Sequence, residues 1–509
     1  MRSTPLILLG LTLGGCAATR YHYDPPTQAI PTAWKNAHPA DSLGRIQPER
    51  PVAAPTEAPP QLSQTPAAGP WWAVFNDTTL TRLETQANAL NFSTRAAVAR
   101  VEQARAQLRI ADAQRAPVVA IAPSTYYSQL SALRPRQASA IPAVAVNQNQ
   151  FYVPVNVNYE VDLWGRLRRN AQAATANLQA TEDDEQAVRL TVAADAANAY
   201  FSLRGLDAEL LVLDSARQAR RYNVQLTSAR FKAGVDNEIG VRRSETELAN
   251  VEASAVELRR QRAGLVASLS TLTGRPASSF VLPSVQPDSV GPVIPIPDQR
   301  QVPATPPGPL LPAAPVIPAN VPAQLLARRP DLRRAERLTA AADLRAKAAR
   351  LARLPTLQLN GYIGPQTTNV GDLPKLANAY TYYVGGGFNI PIFDGGRLRG
   401  NQQLAEAQTN EVVANFRNLT LTAYEEVETA LADVASSQAQ LAAQQRALRA
   451  ARLAGRLTLE RYRRGLTDYF AVVDADRQTL DAARLVVQTQ TTQLRAAVQL
   501  VRTLGGGWQ

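Results

Sequence analysis

Residues 380–396 read YTYYVGGGFNIPIFDGG, and the reading of this stretch decides the fold. Tyr382, Val384, Phe388, Ile390 and Ile392 fall on one face of an extended chain, with Tyr383, Asn389 and Pro391 on the other. A period of two with one apolar face predicts a β-strand over residues 380–393. After Asp394-Gly395-Gly396 the period changes. Val412, Phe416, Leu419, Ala423, Val427, Ala430, Val434, Leu441, Leu448 and Ala451 are spaced by threes, fours and sevens, a heptad seam on a long helix. No proline follows Asp394, so a helix from Arg397 to Arg463 runs uninterrupted for roughly 100 Å at about 1.5 Å per residue. A strand feeding a helix of that length points to a membrane strand set on a periplasmic stalk.

The element occurs twice. Asn158 and Asn389, Gly165 and Gly396, Arg166 and Arg397, Leu167 and Leu398, Asn170 and Asn401, Arg230 and Arg461, Gly234 and Gly465, and Gly274 and Gly505 are all 231 positions apart. Pro117 and Pro355 are 238 apart, which places the seven-residue difference in the loop between each half's two strands. One offset held through strand, turn and helix predicts an internal two-fold repeat of helix, strand, loop, strand, long helix, turn and helix.

Composition narrows the class. The chain has 509 residues, a formal net charge of +12 and one cysteine, which excludes an intrachain disulfide. The arginines alternate with acids and glutamines on outer helix faces and form no aromatic-interleaved cluster. They read as solvated helix surface, not as a nucleic-acid footprint. After the N-terminus no apolar run approaches the roughly 20 residues a membrane helix needs, so any crossing of a membrane uses strands.

In chain order, residues 1–15 hold Arg2, the apolar run Leu6 to Leu13 and small residues, a secretory signal segment. Leu13-Gly14-Gly15-Cys16 resembles a bacterial lipobox, in which Cys16 becomes the lipidated first residue. Ala17 after it suits delivery to the outer membrane. Residues 16–70 are rich in Pro, Ala and Thr and read as an extended arm, ordered only where it lies against something else. Both histidines, His22 and His38, fall there, and no metal site is expected. The first repeat unit covers 71–280, with Asp77 or Thr78 capping its first helix and Pro117 ending that helix. Strands follow from Val119 toward Tyr127 and from Val153 to Leu163. In the second, Val153, Val155, Val157, Tyr159, Val161 and Leu163 oppose Pro154, Asn156, Asn158, Glu160 and Asp162. Residues 281–322 form a proline-dense connector packed outside the stalk. The second unit, 323–509, has a helix over 331–354, strands over 356–364 and 380–393, and two long helices meeting near Gly465. Four strands of about ten residues cannot close a barrel, and an open edge is not tolerated in lipid. Several chains must pool them.

The run WWAVFNDTTLTRLETQANALNFSTRAAVARVEQARAQLRIADAQRAP, with VNYEVDLWGRLRR, LLARRPDLRRAE and FNIPIFDGGRLRG, resembles the TolC-type outer-membrane factors, in particular their NodT-like and OprM-like lipoprotein branch. The likeness covers essentially the whole mature chain. It implies a mixed membrane α/β architecture: a homotrimer with a twelve-stranded β-barrel continuous with an α-helical coiled-coil periplasmic tunnel. It also implies a passive exit channel for small molecules in the outer membrane, working with a periplasmic adaptor and an inner-membrane pump of the resistance–nodulation–division (RND) type. No enzyme activity, cofactor or nucleic-acid partner is implied; the covalent lipid on Cys16 is the only attached group. The residues agree. No Ser/His/Asp set is possible with the histidines confined to the arm, and Gly385-Gly386-Gly387 lies in a strand. The acids Glu182, Asp183, Asp184 and Glu185 read as a solvated helix face. Two other classes compete, a periplasmic adaptor and a structural coiled-coil lipoprotein without a pore. The doubled hairpin and paired strands speak against the adaptor.

The two hairpin turns, ARFKAGVDNEIGVRRSE and ERYRRGLTDYFAVVDADRQ, match the family's periplasmic tips, and Gly234 and Gly465 permit the positive φ of a tight reversal. By resemblance, Phe470 takes an apolar ring position of the periplasmic gate, Asp474 an acidic one, and Tyr462 that of a tyrosine tying the tip shut. A second acid of the ring is absent, since Ala471 stands there, and Gly240 replaces an acid that often partners the tyrosine. The closed state is therefore expected to rest more on Phe470 packing than on polar latches.

Overall fold

The computed structural model describes residues 34–35, 70–131, 146–282, 311–317 and 325–506. The signal segment, Cys16, both histidines and most of the arm and connector lie outside the described residues. The body opens with a 3-10 turn at Trp71–Phe75, then α1 (Thr78–Leu90) and α2 (Phe92–Ala113). Asp77 caps α1, accepting from the backbone N–H of Thr79 at 2.8 Å and of Leu80 at 2.9 Å. The single helix expected up to Pro117 is two, because Asn91 turns extended and caps α2, accepting from Ser93 N–H at 2.8 Å and Thr94 N–H at 3.2 Å.

Four strands follow, β1 (Val118–Ile121), β2 (Ser124–Leu130), β3 (Val146–Tyr152) and β4 (Val155–Val161), then α3 (Arg166–Lys232) and α4 (Glu238–Leu272). The second half has short α5 (Leu325–Arg328), α6 (Pro330–Leu351), β5 (Thr356–Thr367), short α7 (Leu376–Ala379), β6 (Tyr380–Asn389), α8 (Arg397–Arg463) and α9 (Tyr469–Thr503). Helices α3 and α8 each have 67 residues, α4 and α9 each 35, and α2 and α6 each 22. Gly165 and Gly396, at φ 81° and 85°, start the two 67-residue helices.

The sheet departs from the four unbroken strands expected. Pro123 and Pro154 have no N–H to give a ladder, so the first strand divides into β1 and β2 and the second into β3 and β4. Register survives the break. Val118 opposes Asn158 and Ser124 opposes Tyr152, while Ala122 N–H donates to the Pro154 carbonyl at 3.2 Å. Strand β5 continues past Gly364 to Thr367, whereas β6 stops at Asn389, short of Pro391 and of the expected Phe393. The helix expected over 331–354 also shortens, α6 ending at Leu351 rather than Leu354.

All pairing is antiparallel. Strand β4 lies between β1 and β5, β5 between β4 and β6, and among the described residues β1 and β6 each pair on one side only. The registers put Val119, Ile121, Val155, Val157, Tyr159, Val161, Leu357, Leu359, Ile363, Tyr382, Val384 and Phe388 on one face. Asn156, Asn158, Glu160, Gln358, Asn360, Tyr362 and Tyr383 share the other. The apolar face covers no core: Val384 is 84 % and Phe388 62 % exposed.

The helical body has its own core, in which Tyr200, Phe201 and Leu203 of α3 pack with Leu80 and Leu83 of α1 and Leu494, Val498 and Val501 of α9. Five seam residues of α8, Phe416, Ala423, Val427, Ala430 and Leu448, are buried. Trp34, from the arm, is buried against Tyr424 and Leu431, and Leu311, from the connector, joins the main core. The acids at 182–185 are not merely solvated. Asp183 meets Arg333 of α6 at 2.9 Å, and Asp184 meets Arg334 at 3.3 Å and Arg100 of α2 at 3.4 Å, so the run stitches three helices. A sequence pattern on one helix does not show the arginines that another brings to it. Glu84 of α1 is fully buried with neither carboxylate oxygen hydrogen-bonded among the described residues, and burial pushes its carboxyl up to about 9.

Candidate functional site: the paired helical turns

Each long helix reverses through the same construction. At the first turn Gly234 takes φ 71°, its N–H donating to the Phe231 carbonyl at 2.9 Å and Val235 N–H to the Arg230 carbonyl at 3.0 Å. At the second, Gly465 takes φ 72°, and its N–H and that of Leu466 donate to the Tyr462 and Arg461 carbonyls, both at 2.9 Å. A left-handed glycine with these two bonds closes a helix C-terminus cleanly. The return helices are capped alike, Asn237 accepting from Gly240 N–H at 3.2 Å and Asp468 from Ala471 N–H at 3.1 Å.

The two turns meet at Tyr462. Its side chain is 2 % exposed and packs with Tyr469, Val472 and Val473, the two tyrosine rings 5.5 Å apart. The phenol donates to Asp236 Oδ2 at 2.7 Å, and Arg230 lies over the tyrosine ring at 4.7 Å and 3.6 Å from the same carboxylate oxygen. Burial, then the bond to Asp236, pushes the Tyr462 hydroxyl well above its ordinary range. The expectation that the tip relies more on Phe470 packing than on polar latches thus meets a polar contact at this turn. Position 240 carries no side chain, but Asp236, four residues earlier in the turn, reaches the phenol instead. In sequence Asp236 reads only as a turn residue between Gly234 and the cap Asn237.

Phe470 and Asp474, four apart, share the exposed face of α9. Phe470 is 59 % exposed, and within the chain its ring meets the Arg243 guanidinium at 5.1 Å. Asp474 accepts from Gln478 Nε2 at 2.8 Å. Tyr462 is thus brought into a core with Asp236, whereas Phe470 and Asp474 project from it. Higher up the helices, Arg220 and Asn223 of α3, Glu247 of α4 and Asp476 of α9 form a second polar junction that sequence reasoning missed. Its members come from three helices, and the packing of α4 and α9 on α3 assembles them. Among the described residues no cluster of metal-ligating side chains occurs, and no helix is long and apolar enough to cross a membrane.

An exposed apolar sheet face, unpaired edges and two 67-residue helices closed by matched turns are the parts of an outer-membrane duct. Residues 83–275 and 321–506 match the outer membrane efflux protein family. The chain belongs to that family. Within the outer membrane efflux proteins it is similar to the pyoverdine export outer membrane protein OpmQ of Pseudomonas putida, 28 % identical over 99 % of this chain and 97 % of the relative. It is similar also to the toluene efflux pump outer membrane protein TtgI of Pseudomonas putida, 28 % identical over 100 % of this chain and 98 % of the relative. Among solved structures, the outer-membrane channel OprN superposes with a TM-score of 0.79 at 26 % identity, covering 96 % of this chain and 99 % of that one. The chain is an outer-membrane efflux protein, and its architecture is that of the TolC-type channels.

Proposed function

We propose that three copies of this chain close a single twelve-stranded barrel in the outer membrane, continuous with a helical tunnel in the periplasm built from the repeated hairpins. The observation that carries this reading is the sheet. It has a lipid-compatible face exposed on one side, an amide-rich face on the other, and edge strands β1 and β6 without a second partner among the described residues. The 12 residues of β5 extend about 40 Å at roughly 3.3 Å per residue, which at a tilt near 45° spans about 28 Å, close to a bilayer's hydrocarbon core. Edge-to-edge closure by symmetry satisfies every strand N–H and C=O without water. The polar face, with Asn156, Asn158, Gln358 and Asn360, lines the lumen.

The channel is passive: solutes pass through while an RND-type inner-membrane pump, coupled through a periplasmic adaptor, supplies the energy. The names of OpmQ and TtgI support small organic molecules as cargo. At the periplasmic end, Phe470 side chains from three copies form an apolar constriction. Asp474 side chains form an anionic ring that repels itself and favours cations. Tyr462, Asp236 and Arg230 hold the second turn against the first, and a docked adaptor that binds the open form better shifts the equilibrium. Cys16 carries the lipid, which anchors without spanning.

Planar-bilayer recording tests the gate. Phe470→Ala and Asp474→Ala each raise single-channel conductance and admit vancomycin to the cell; unchanged conductance in both removes the assignment. Cys16→Ser abolishes labelling with radioactive palmitate, and continued labelling rules out Cys16 as the anchor.

A further inference from the structure

The polar junction above the tip holds two carboxylates with unequal partners. Glu247 of α4, itself 6 % exposed, receives two guanidinium groups. Arg220 of α3 lies 3.5 Å from Glu247 Oε2 and donates to the Glu247 carbonyl at 3.3 Å, and Arg477 of α9 donates through Nε to Glu247 Oε1 at 3.0 Å. Asp476 of α9 has as its hydrogen-bond donor the neutral amide of Asn223, 2.9 Å from Oδ2. On α3, Arg220 attracts its charge from beyond hydrogen-bond distance; on α4, Glu247 repels it; on its own helix, Tyr469 lies nearby. From α8, Gly455 lies against this part of α9, where an added Cβ would meet Thr479 Oγ1 at 3.3 Å and the Ala475 carbonyl at 3.9 Å, and the Ala451 carbonyl accepts from Thr479 Oγ1 at 3.2 Å. The pair of hydroxyls beneath, Thr227 and Ser244, bond to one another at 2.9 Å. Burial therefore outweighs the attraction of Arg220 and pushes the Asp476 carboxyl up to about 6.

We propose that Asp476 is a proton-operated clasp on the gate: uncharged, it fastens α9 to α3 and α4 beside the tip, and ionised, it loosens that contact. The inference rests on the gate assigned to the second turn. Opening moves α9 away from α3 and hydrates Asp476, which returns its carboxyl to the ordinary range near 3.8. A carboxyl whose packed-state value is raised favours the packed state most at low pH. That preference declines as pH rises from about 4 and is lost above about 6. Linkage over this interval makes opening about tenfold easier per chain at pH 7 than at pH 5. Periplasmic pH follows that of the surroundings, so an acid medium would hold the duct shut more firmly.

The test compares the reconstituted wild type, Asp476→Asn, Asp474→Asn and Phe470→Ala in planar bilayers at pH 5 and pH 7. The wild type is expected to close longer at pH 5. Asp476→Asn, which fixes the uncharged form, is expected to show the acid-like closed dwell at both pH values. Infrared difference spectra of the wild-type trimer give a measurement that needs no variant: a protonated-carboxyl band that is lost between pH 5 and 7. Glu84 stays protonated throughout that interval and cancels in the difference. If Phe470→Ala raises conductance while Asp476→Asn retains the wild-type pH response, or if no carboxyl titrates in that interval, this inference falls and the gate stands. If Phe470→Ala and Asp474→Asn both leave conductance unchanged, the gate reading fails and takes the clasp with it.

Discussion

Tyr462→Phe removes one hydroxyl from the tip and leaves the ring in place against Tyr469, Val472 and Val473. The lost bond is the 2.7 Å contact with the Asp236 carboxylate. A hydrogen bond to a charged acceptor contributes about 1.5–3 kcal/mol. Asp236 retains Arg230 at 3.6 Å, which offsets part of the loss, so the lower figure applies. About 1.5 kcal/mol is roughly tenfold in an equilibrium. If three tips open together, the opening equilibrium therefore shifts by about 10³. Single-channel recording reads this as open probability, and vancomycin susceptibility reads it in cells. Asp236→Asn weakens the same bond, so a double variant should add little to Tyr462→Phe alone. A wild-type open probability in Tyr462→Phe, or full additivity with Asp236→Asn, would refute the latch.

Two further changes probe the wall and the body. Val384→Arg places a charge on the apolar sheet face at a site 84 % exposed in the chain. Against lipid it costs about 2–4 kcal/mol near the bilayer midplane, and it lowers the yield of trimer in outer-membrane fractions. Asn360→Lys, on the polar face, is tolerated; equal tolerance of both would mean that water covers the apolar face. Glu84→Met removes a buried acid that must take up a proton to stay packed. At pH 7.5 that proton costs up to about 4 kcal/mol, from a carboxyl moved from 4.5 to about 9. The penalty grows as pH rises above about 4.5, so the variant's thermal midpoint rises at pH 7.5 and the gain shrinks near pH 4.5. No gain at pH 7.5 would mean Glu84 finds a partner in the assembly.

Much of this architecture is written in local patterns. The alternation of Val155, Val157, Tyr159 and Val161 with asparagines and an acid is a half-apolar strand wherever it occurs. A proline-free heptad seam from Val412 to Ala451 can hardly be anything but helix. Gly234 and Gly465 mark the reversals because only glycine takes that backbone without strain. Where reading failed, the deciding contact came from elsewhere. Pro123 and Pro154 fall one position apart across the same antiparallel register, and each breaks its own strand without losing that register. The acids at 182–185 find arginines on α2 and α6, and Tyr462 finds Asp236, 226 positions away. Asp476 is one acid among several on α9 until Asn223 and Glu247 are placed beside it. Periodicity reports which face of an element is apolar; it does not report what stands opposite.

The number of chains that close the cylinder decides this architecture. Light scattering with size-exclusion chromatography in mild detergent, on material extracted from outer membranes, measures it directly. The expected particle has three times the mass of one chain, keeps that mass until heated in denaturing detergent, and conducts ions on reconstitution. A stable single-chain particle with the β1 and β6 edges folded onto an apolar interior of its own, and without conductance, would contradict it.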